Sequence, residues 1–322
     1  MRALTLNLLL GILAFGLIFG SVGRTLAQEW EQATPDLWKL VEKNARVEKV
    51  AANFQFTEGP VWNPAGFLLF SDIPANQILK YVPGSSPVVF RSPSGNSNGL
   101  TYDHKGRLVA CEHGNRRVSR LESDGFVTII AESYDGKRLN SPNDVVIRSD
   151  GTIYFTDPPY GLAKDQKQDL PYQGVYKVSP DVRVTLLIQD FDRPNGIALS
   201  PDEKTLYVDD SARRHVGAFD VAADGGISNG RVFADLKSER EGGPDGMKID
   251  RQGNLYVTGP GGLWVFDKGG KHLGTLIMQE LPANCAWGDA DFRTLYMTAR
   301  TGLYKIRFKV PGFITYPTGK RR

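Results

Sequence analysis

Six residues with oxygen-bearing side chains recur along the chain at intervals that suggest one shared site. The intervals run from 39 to 52 residues, and the six are Glu58, Asn98, Asn143, Asn195, Asp245 and Asn284. Carboxylate and amide oxygens are the ligands that hard divalent cations prefer. Two gathered carboxylates would also need a counter-charge. The pattern predicts one bound divalent cation, Ca²⁺ first and Mg²⁺ or Mn²⁺ as alternatives. Turn capping by these side chains is the structural alternative.

Other kinds of chemistry are disfavoured by the same sequence. The four histidines are scattered and form no H-E-x-x-H motif, and no C-x-x-C motif exists for zinc or redox work. The stretch Gly95–Gly99 matches G-x-S-x-G, but a hairpin follows it where a nucleophile elbow requires a helix. We therefore predict a tight loop here and no catalytic serine.

Four further acidic residues follow four of the six positions after 14 residues. They are Asp72, Glu112, Asp157 and Asp209. Antiparallel strand return would bring them back to the same face of the protein, either as an outer shell around the cation or as ion pairs at the rim. His113, beside Glu112, is a candidate ligand contact, with an ordinary surface histidine as the alternative.

These residues must be positioned by a repeated structural unit. Each of the six is followed by an apolar stretch, a Gly or Asx turn and a second strand of alternating type, which is hairpin chemistry. A strand repeat of this length is typical of a β-propeller with four strands per blade. We predict an all-β, six-bladed propeller over residues 46–308, with the six polar residues ringing its channel. A short helix around Pro35–Asn44 is expected before it.

Composition supports one globular domain and excludes several classes of protein. The 322 residues include 35 Gly and 19 Pro, with 41% hydrophobic and 23% charged residues, which excludes disordered chains, collagen and coiled coils. The net charge of +3 is too balanced for a nucleic-acid partner.

Both ends of the chain carry their own predictions. Residues 1–27 resemble a signal peptide, with an uncleaved anchor as the alternative, so we expect an exported protein, periplasmic or secreted, without further membrane association. Residues 28–45 form a lead-in, and residues 309–322 a basic tail that we expect to fray. Cys111 and Cys285 are expected to be free, although an oxidising compartment would allow them to pair.

Several motifs together resemble the senescence marker protein / gluconolactonase / luciferin-regenerating-enzyme family, and specifically its bacterial gluconolactonase branch. The resemblance covers about residues 40–308. The motifs that carry it are Phe56–Trp62, Leu68–Pro74, Cys111–Gly114, Ser141–Asp144, Arg193–Gly196 and Gly243–Met247. The resemblance implies a six-bladed propeller with one divalent cation at the mouth of its channel.

The resemblance also implies roles for individual residues. Glu58, Asn195 and Asp245 fall on the family's metal-ligand positions, and Asp245 also on its acid/base. Asn143 falls on the position that contacts substrate or supplements the metal shell. Asn98 and Asn284 are not standard metal ligands in the family and are expected to line the pocket. His113 is a substrate-contact candidate from its place beside Glu112, not from the resemblance. Animal members carry an arginine shortly before the position of Asn143, where this chain has Ser141, so the resemblance does not specify which sugar acid is recognised.

The implied reaction is metal-dependent hydrolysis of a small-molecule lactone, in particular glucono-1,5-lactone, with Asp245 as acid/base. One alternative is a metal-dependent hydrolase of another ester, such as an aryl ester or a homoserine lactone. Another is a non-catalytic propeller that binds Ca²⁺, because propellers host many functions. The sequence does not specify the oligomeric state.

Overall fold

The fold is a six-bladed β-propeller built almost entirely from antiparallel strands, as the sequence predicts. A computed structural model describes residues 29–316. The predicted signal peptide at 1–27 and the last residues of the basic tail, 317–322, lie outside the described residues. Each blade is a four-stranded meander in which successive strands pair, because tight turns join neighbouring strands directly.

In the first three blades, the strands follow one another in chain order from the channel outward. Blade 1 contains Thr57–Asn63, Phe67–Asp72, Gln77–Tyr81 and Val88–Arg91. Blade 2 contains Ser97–Tyr102, Leu108–Glu112, Arg117–Leu121 and Val127–Ala131. Blade 3 contains Val145–Ile147, Ile153–Asp157, Gly174–Val178 and Val184–Ile188. A small hairpin, Ser133–Tyr134 with Lys137–Arg138, connects blades 2 and 3.

The last three blades follow the same plan, and two of them recruit strands from the start of the chain. Blade 4 contains Pro194–Leu199, Thr205–Asp210, His215–Val221 and Ile227–Asp235. Blade 5 contains Met247–Ile249, Leu255–Gly259, Gly262–Phe266 and His272–Ile277, with Trp30–Glu31 as a fifth strand. Blade 6 contains Asn284–Gly288, Thr294–Ala299 and Gly302–Arg307, with Glu48–Ala52 as its outermost strand.

Packing between blades supplies the hydrophobic core. Trp62 of blade 1 stacks on Tyr296 of blade 6, with ring centroids 5.6 Å apart. Tyr256 of blade 5 meets Trp287 of blade 6 edge to face at 4.9 Å. Such large buried rings fill the wedge between sheets that splay outward from an axis. The innermost strands of adjacent blades contact one another around a complete ring.

The segment before the propeller is less helical than the sequence predicts. The helix expected over Pro35–Asn44 spans only Leu37–Leu40. Asp36 makes no side-chain capping bond, and Val41 is already extended and bridges to Phe308. The apolar residues Leu37 and Leu40 are buried against the core, so packing against the propeller takes precedence over helix propagation.

The chain after Lys309 packs against the propeller, so the expectation of a frayed tail is wrong for residues 310–316. Val310 and Tyr316 are buried, and the Tyr316 hydroxyl donates a 2.6 Å hydrogen bond to the carbonyl of Trp62. Phe313 and Ile314 help to enclose a small apolar cavity against Val61, Leu100, Val145 and Ile197 of the innermost strands. The tail therefore covers the end of the channel where the innermost strands finish.

Both cysteines carry free thiols, as the sequence predicts. Cys111 and Cys285 are buried and unpaired. Within residues 29–316 the structure contains no helix with the length and apolar character needed to cross a membrane.

Candidate active site

The predicted polar residues lie where the innermost strands begin. Several of them are followed by a glycine, which allows the backbones of neighbouring blades to approach closely at this point. The amide of Gly99 donates to the carbonyl of Asn143 at 2.8 Å, which joins blade 2 to blade 3. A Cβ on Gly196 would lie 2.0 Å from the carbonyl oxygen of Asp245, so blades 4 and 5 approach this closely only without a side chain there. The ring of polar residues is therefore held by backbone contacts between blades.

One open cavity of about 740 Å³ occupies this mouth of the channel. Six of the predicted site residues line it: Glu58, Asn98, His113, Asn143, Asn195 and Asp245. Asn284 does not line this cavity. Its side-chain carbonyl accepts a 2.8 Å hydrogen bond from the amide of Cys285, and its side chain lies against Gly246, one layer deeper.

Glu58 and Asp245 are the two predicted carboxylates that line the cavity. Glu58 is buried and accepts a 2.6 Å hydrogen bond from the Gly59 amide, while Asp245 is half-buried. Burial raises the pKa of Glu58 to about 7, with repulsion from Asp144 adding to it. Burial, and then repulsion from Glu58, raises the pKa of Asp245 well above its usual value. Each carboxylate therefore disfavours the charged form of the other.

The amide residues are fixed on either side of these carboxylates. Asn195 is buried, and its side-chain nitrogen donates to the Ser211 hydroxyl at 3.1 Å. Ser211 in turn donates to the carbonyl of Pro244, next to Asp245, at 2.6 Å. Asn143 is buried, and its backbone amide donates to the carbonyl of Thr156 at 2.8 Å. These bonds orient the side-chain amide of Asn195 and fix the backbone of Asn143, and neither bond uses a side-chain oxygen of the two asparagines.

The chemistry of these donors fits a divalent cation that binds through oxygen. Glu58 and Asp245 repel one another, and a cation between them would remove that cost. The side-chain oxygen of Asn98 is buried and has no hydrogen-bond partner within residues 29–316. Across that range no three His, Cys, Asp or Glu residues group as a metal site, so a cation here would need amide or water oxygens as well. Glu58, Asn195, Asp245 and Asn143 supply that combination.

The acids on the second strands mostly stabilise loops and ion pairs. Asp72 accepts hydrogen bonds from the amides of Gln55 and Phe56 at 3.0 and 3.1 Å. Glu112 pairs with Arg91 at 3.1 Å and with Arg117 at 2.7 Å. Asp157 accepts from the amide of Asn140 at 2.7 Å. They are thus not grouped around Glu58 and Asp245.

Asp209 differs from the other three. The loop-capping residue in blade 4 is its neighbour Asp210, which accepts from the amides of Asp192 and Arg193 at 2.8 and 3.2 Å. Asp209 instead occupies the position of Ser71 and Thr156. The hydroxyls of those two residues donate to the carbonyls of Asn98 and Asn195, near the start of the next blade. It is fully buried, and its pKa is raised well above the usual value by burial, despite a contribution from the nearby Gly196 amide that lowers it.

The tight loop predicted for the G-x-S-x-G match is confined to Gly95 and Asn96, which have positive φ, and the serine itself begins a strand. Ser97 is fully buried in the first strand of blade 2, and its hydroxyl lies 2.9 Å from that of Ser71. Its amide donates to Ser94 at 3.2 Å.

Three residues that sequence reasoning missed also line the cavity: Tyr160, Arg193 and Arg214. Tyr160 lies on the long connection between the second and third strands of blade 3, where no repeat signal exists. Arg193 lies two residues before Asn195 in the motif Arg193–Gly196. From that motif, the sequence predicts only Asn195 as a site residue. Arg214 lies in the turn that follows Asp210.

The chain resembles known proteins over most of its length. Residues 56–301 match the family model described as the SMP-30/Gluconolactonase/LRE-like region. A gluconolactonase of Zymomonas mobilis is 34% identical over 306 residues, covering 87% of this chain and 86% of that protein. Rabbit (Oryctolagus cuniculus) regucalcin is 30% identical over 253 residues, covering 76% and 84%. The solved structure of a Xanthomonas campestris gluconolactonase superposes with a TM-score of 0.80 at 33% identity, covering 87% and 94%.

Proposed function

We propose a specific reaction for this chain, which belongs to the SMP-30/gluconolactonase/LRE-like family and is a lactone-hydrolysing enzyme. The reaction is hydrolysis of glucono-1,5-lactone, or a closely related sugar lactone, to the open hydroxy acid, assisted by one divalent cation. The observation that carries the proposal is the meeting of Glu58, Asn195 and Asp245 in one cavity, although they lie far apart in the sequence.

The oxygen-rich walls of the cavity suit this reaction. When bound, a divalent cation would polarise the lactone carbonyl and acidify a neighbouring water. Glu58, Asn195, Asp245 and Asn143 are the residues that would hold it. Ca²⁺ is the first candidate, because carboxylate and amide oxygens are its usual ligands and their number here leaves room for water.

Asp245 is the proposed acid/base. Its carboxylate would accept a proton from the attacking water as the water oxygen bonds to the carbonyl carbon. The same proton would then pass to the ring oxygen as the ring C–O bond breaks, which leaves a hydroxy acid. Burial and the neighbouring Glu58 raise the pKa of Asp245, and this opposes the lowering that a nearby cation causes. Asn143 and Asn195 would orient the substrate without adding charge.

The proposed base can be tested with one pair of variants. Asp245→Asn should lower kcat/KM for glucono-1,5-lactone about 100-fold or more, because loss of a general base typically costs this much. The matched control is Asp165→Asn, the same substitution at an exposed position that does not line the cavity. Acid release followed with a pH indicator measures both. Similar losses in the two variants would contradict the role of Asp245.

The proposed cation needs a separate experiment. Treatment with EDTA should abolish hydrolysis above the spontaneous rate, and Ca²⁺, Mg²⁺ and Mn²⁺ should be added back individually. Recovery with at least one of these oxygen-preferring ions is the expected result. Recovery with Zn²⁺ alone, or full activity in EDTA, would contradict a cation held by carboxylate and amide oxygens.

A further inference from the structure

Two guanidinium groups at the cavity have no carboxylate to neutralise them. Within residues 29–316 the Arg193 side chain makes no ion pair or hydrogen bond, and that of Arg214 donates only to the carbonyl of Ser238, at 2.6 Å. Their neighbour Arg213, by contrast, pairs with Asp192 at 3.1 Å. Arg300, which also lines the cavity, pairs with Glu241. The uncompensated positive charge is therefore concentrated on blade 4.

Arg193 is held in place by an aromatic ring. Its guanidinium carbon lies 5.7 Å from the ring centroid of Tyr160, which is a cation–π contact. This contact orients the side chain while leaving its N–H donors unused. An arginine placed in this way can still form two parallel hydrogen bonds to a carboxylate or phosphate.

Tyr160 is itself fixed through Ser141. The Ser141 hydroxyl donates to the carbonyl of Pro158 at 2.6 Å and accepts from the amide of Gly161 at 2.8 Å, so it binds both sides of Tyr160. Gly161 also lies so close to His113 that an added Cβ would approach the histidine Cβ to 2.4 Å. Ser141 thus organises the loop that supports Arg193.

The balance of charge in the cavity indicates which ligand these groups would bind. Its charged lining residues are Glu58, Glu241, Asp245, Arg193, Arg214 and Arg300, three of each sign. The proposed divalent cation would offset Glu58 and Asp245, and Glu241 already pairs with Arg300. Among the residues that line the cavity, the remaining unpaired charge then lies on Arg193 and Arg214, which favours a negatively charged ligand beside these two groups.

We propose that Arg193 and Arg214 bind an anionic group on the substrate, a carboxylate or a phosphate, remote from the lactone ester. The substrate class is then an acidic sugar lactone, for which the neutral glucono-lactone is a poor representative. This inference rests on the proposed lactonase function. It assigns recognition to blade 4, whereas Ser141 of blade 3 holds the loop that supports it.

The test compares lactones matched in ring size that differ in charge. One pair is glucono-1,5-lactone and 6-phosphoglucono-1,5-lactone; the other is glucono-1,4-lactone and glucaro-1,4-lactone, which carries a carboxylate. The wild-type kcat/KM should be at least tenfold higher for the anionic member of one pair, and the preference should shrink in high salt. Preference within the first pair identifies phosphate, and within the second carboxylate.

Variants connect this preference to the named residues. Arg193→Gln should lower the anionic-to-neutral ratio of kcat/KM at least tenfold, and Arg193→Lys should retain part of it. The control is Arg231→Gln, which removes an exposed arginine paired with Asp220 on the outer strand of the same blade; its ratio should match the wild type. If Arg193→Gln does not fold, two results still test the anion site. They are the partial preference for the anionic lactone in Arg193→Lys and the loss of that preference in high salt.

The outcomes separate the two proposals. Hydrolysis of neutral lactones without preference for the anionic member of either pair overturns the anion site alone. An anionic preference that survives Arg193→Gln also overturns it. Failure of the wild type to hydrolyse any of the four lactones, with the cations above present, overturns the proposed function itself.

Discussion

The side-chain nitrogen of Asn98 lies 3.3 Å from Nε2 of His113, and both residues line the cavity. In this orientation the amide nitrogen can only donate, so Nε2 accepts and the imidazole proton is assigned to Nδ1. Burial lowers the pKa of His113 to about 4. His113 is therefore neutral at neutral pH and serves as an acceptor that turns the Asn98 oxygen away from it.

The first prediction concerns His113 and pH. Because its pKa is lowered, the imidazole gains its charge only in acid near pH 4 and contributes no step between pH 5.5 and 8.5. His113→Gln should lower kcat/KM about 2- to 10-fold, the value of one hydrogen bond, and leave the shape of the pH–rate profile unchanged. Loss of a limb near pH 6–7 in the variant would identify His113 as a proton-transfer group instead.

The second prediction concerns the contact between blades 4 and 5. Gly196→Ala places a methyl group where only 2.0 Å separates it from the backbone oxygen of Asp245. The strands must move apart, which should cost about 1–3 kcal/mol of unfolding free energy and most of the lactonase activity. Gly269→Ala is the control, since its nearest obstacle is an aspartate side-chain oxygen at 3.3 Å. The free energy of unfolding is measured with denaturant, and activity as kcat/KM. Equal values of both quantities in the two variants would contradict the close packing of blades 4 and 5 at Gly196.

The third prediction follows from Asp157, which lies apart from Glu58 and Asp245. Burial raises the pKa of Asp157 to about 7, against an ordinary value of 3.8. Between these values the folded protein keeps a proton that the unfolded chain releases. The free energy of unfolding therefore falls as pH rises toward 7, by at most about 1.4 kcal/mol per pH unit.

Asp157→Asn should remove this dependence, because an amide does not titrate. The variant should gain stability relative to the wild type between pH 4.5 and 8, measured by denaturant unfolding at both pH values. The exposed Asp165→Asn provides the control. A free energy of unfolding that changes with pH by the same amount in the wild type and both variants would contradict the raised pKa of Asp157.

The fourth prediction concerns the C-terminal segment. Truncation after Lys309 removes the buried Val310 and Tyr316 and exposes the apolar end of the channel. Thermal unfolding should occur several degrees lower, because each buried apolar side chain of this size is worth about 1.5–3 kcal/mol. Truncation after residue 316 is the control and should leave the midpoint within a degree or two. Equal midpoints for both would show that the segment adds no stability.

The blades were predictable because each repeats the same local chemistry. A turn, a strand and a polar first residue recur at a spacing that only stacked hairpins explain, and the six innermost strands do begin near Glu58, Asn98, Asn143, Asn195, Asp245 and Asn284. The roles of these residues in metal and substrate binding remain predictions. Their convergence in one cavity, apart from Asn284, is a structural result.

A fixed spacing does not identify the equivalent acid in every blade, because the turns of the blades differ in length. The first hairpin of blade 4 has a longer turn than that of blade 1, so a count of 14 from Asn195 reaches Asp209, whereas Asp210 is the partner of Pro194. Tyr160 could not be found by any repeat, because it lies in an irregular connection. The helix spans only Leu37–Leu40, shorter than the predicted Pro35–Asn44, because its ends are set by tertiary contacts that the local sequence does not reveal.

Blade 6 joins the two ends of the chain, because Glu48–Ala52 pairs with Gly302–Arg307. During synthesis Glu48–Ala52 is made long before Gly302–Arg307, so these two strands can pair and close the ring of blades only when nearly the whole chain has been made. A nascent chain that lacks Gly302–Arg307 has no partner strand for Glu48–Ala52, so blade 6 stays incomplete although every residue that lines the cavity has been made. We therefore expect proteolytic removal of either of these two strands to weaken blade 6 and, through it, a site that neither strand lines.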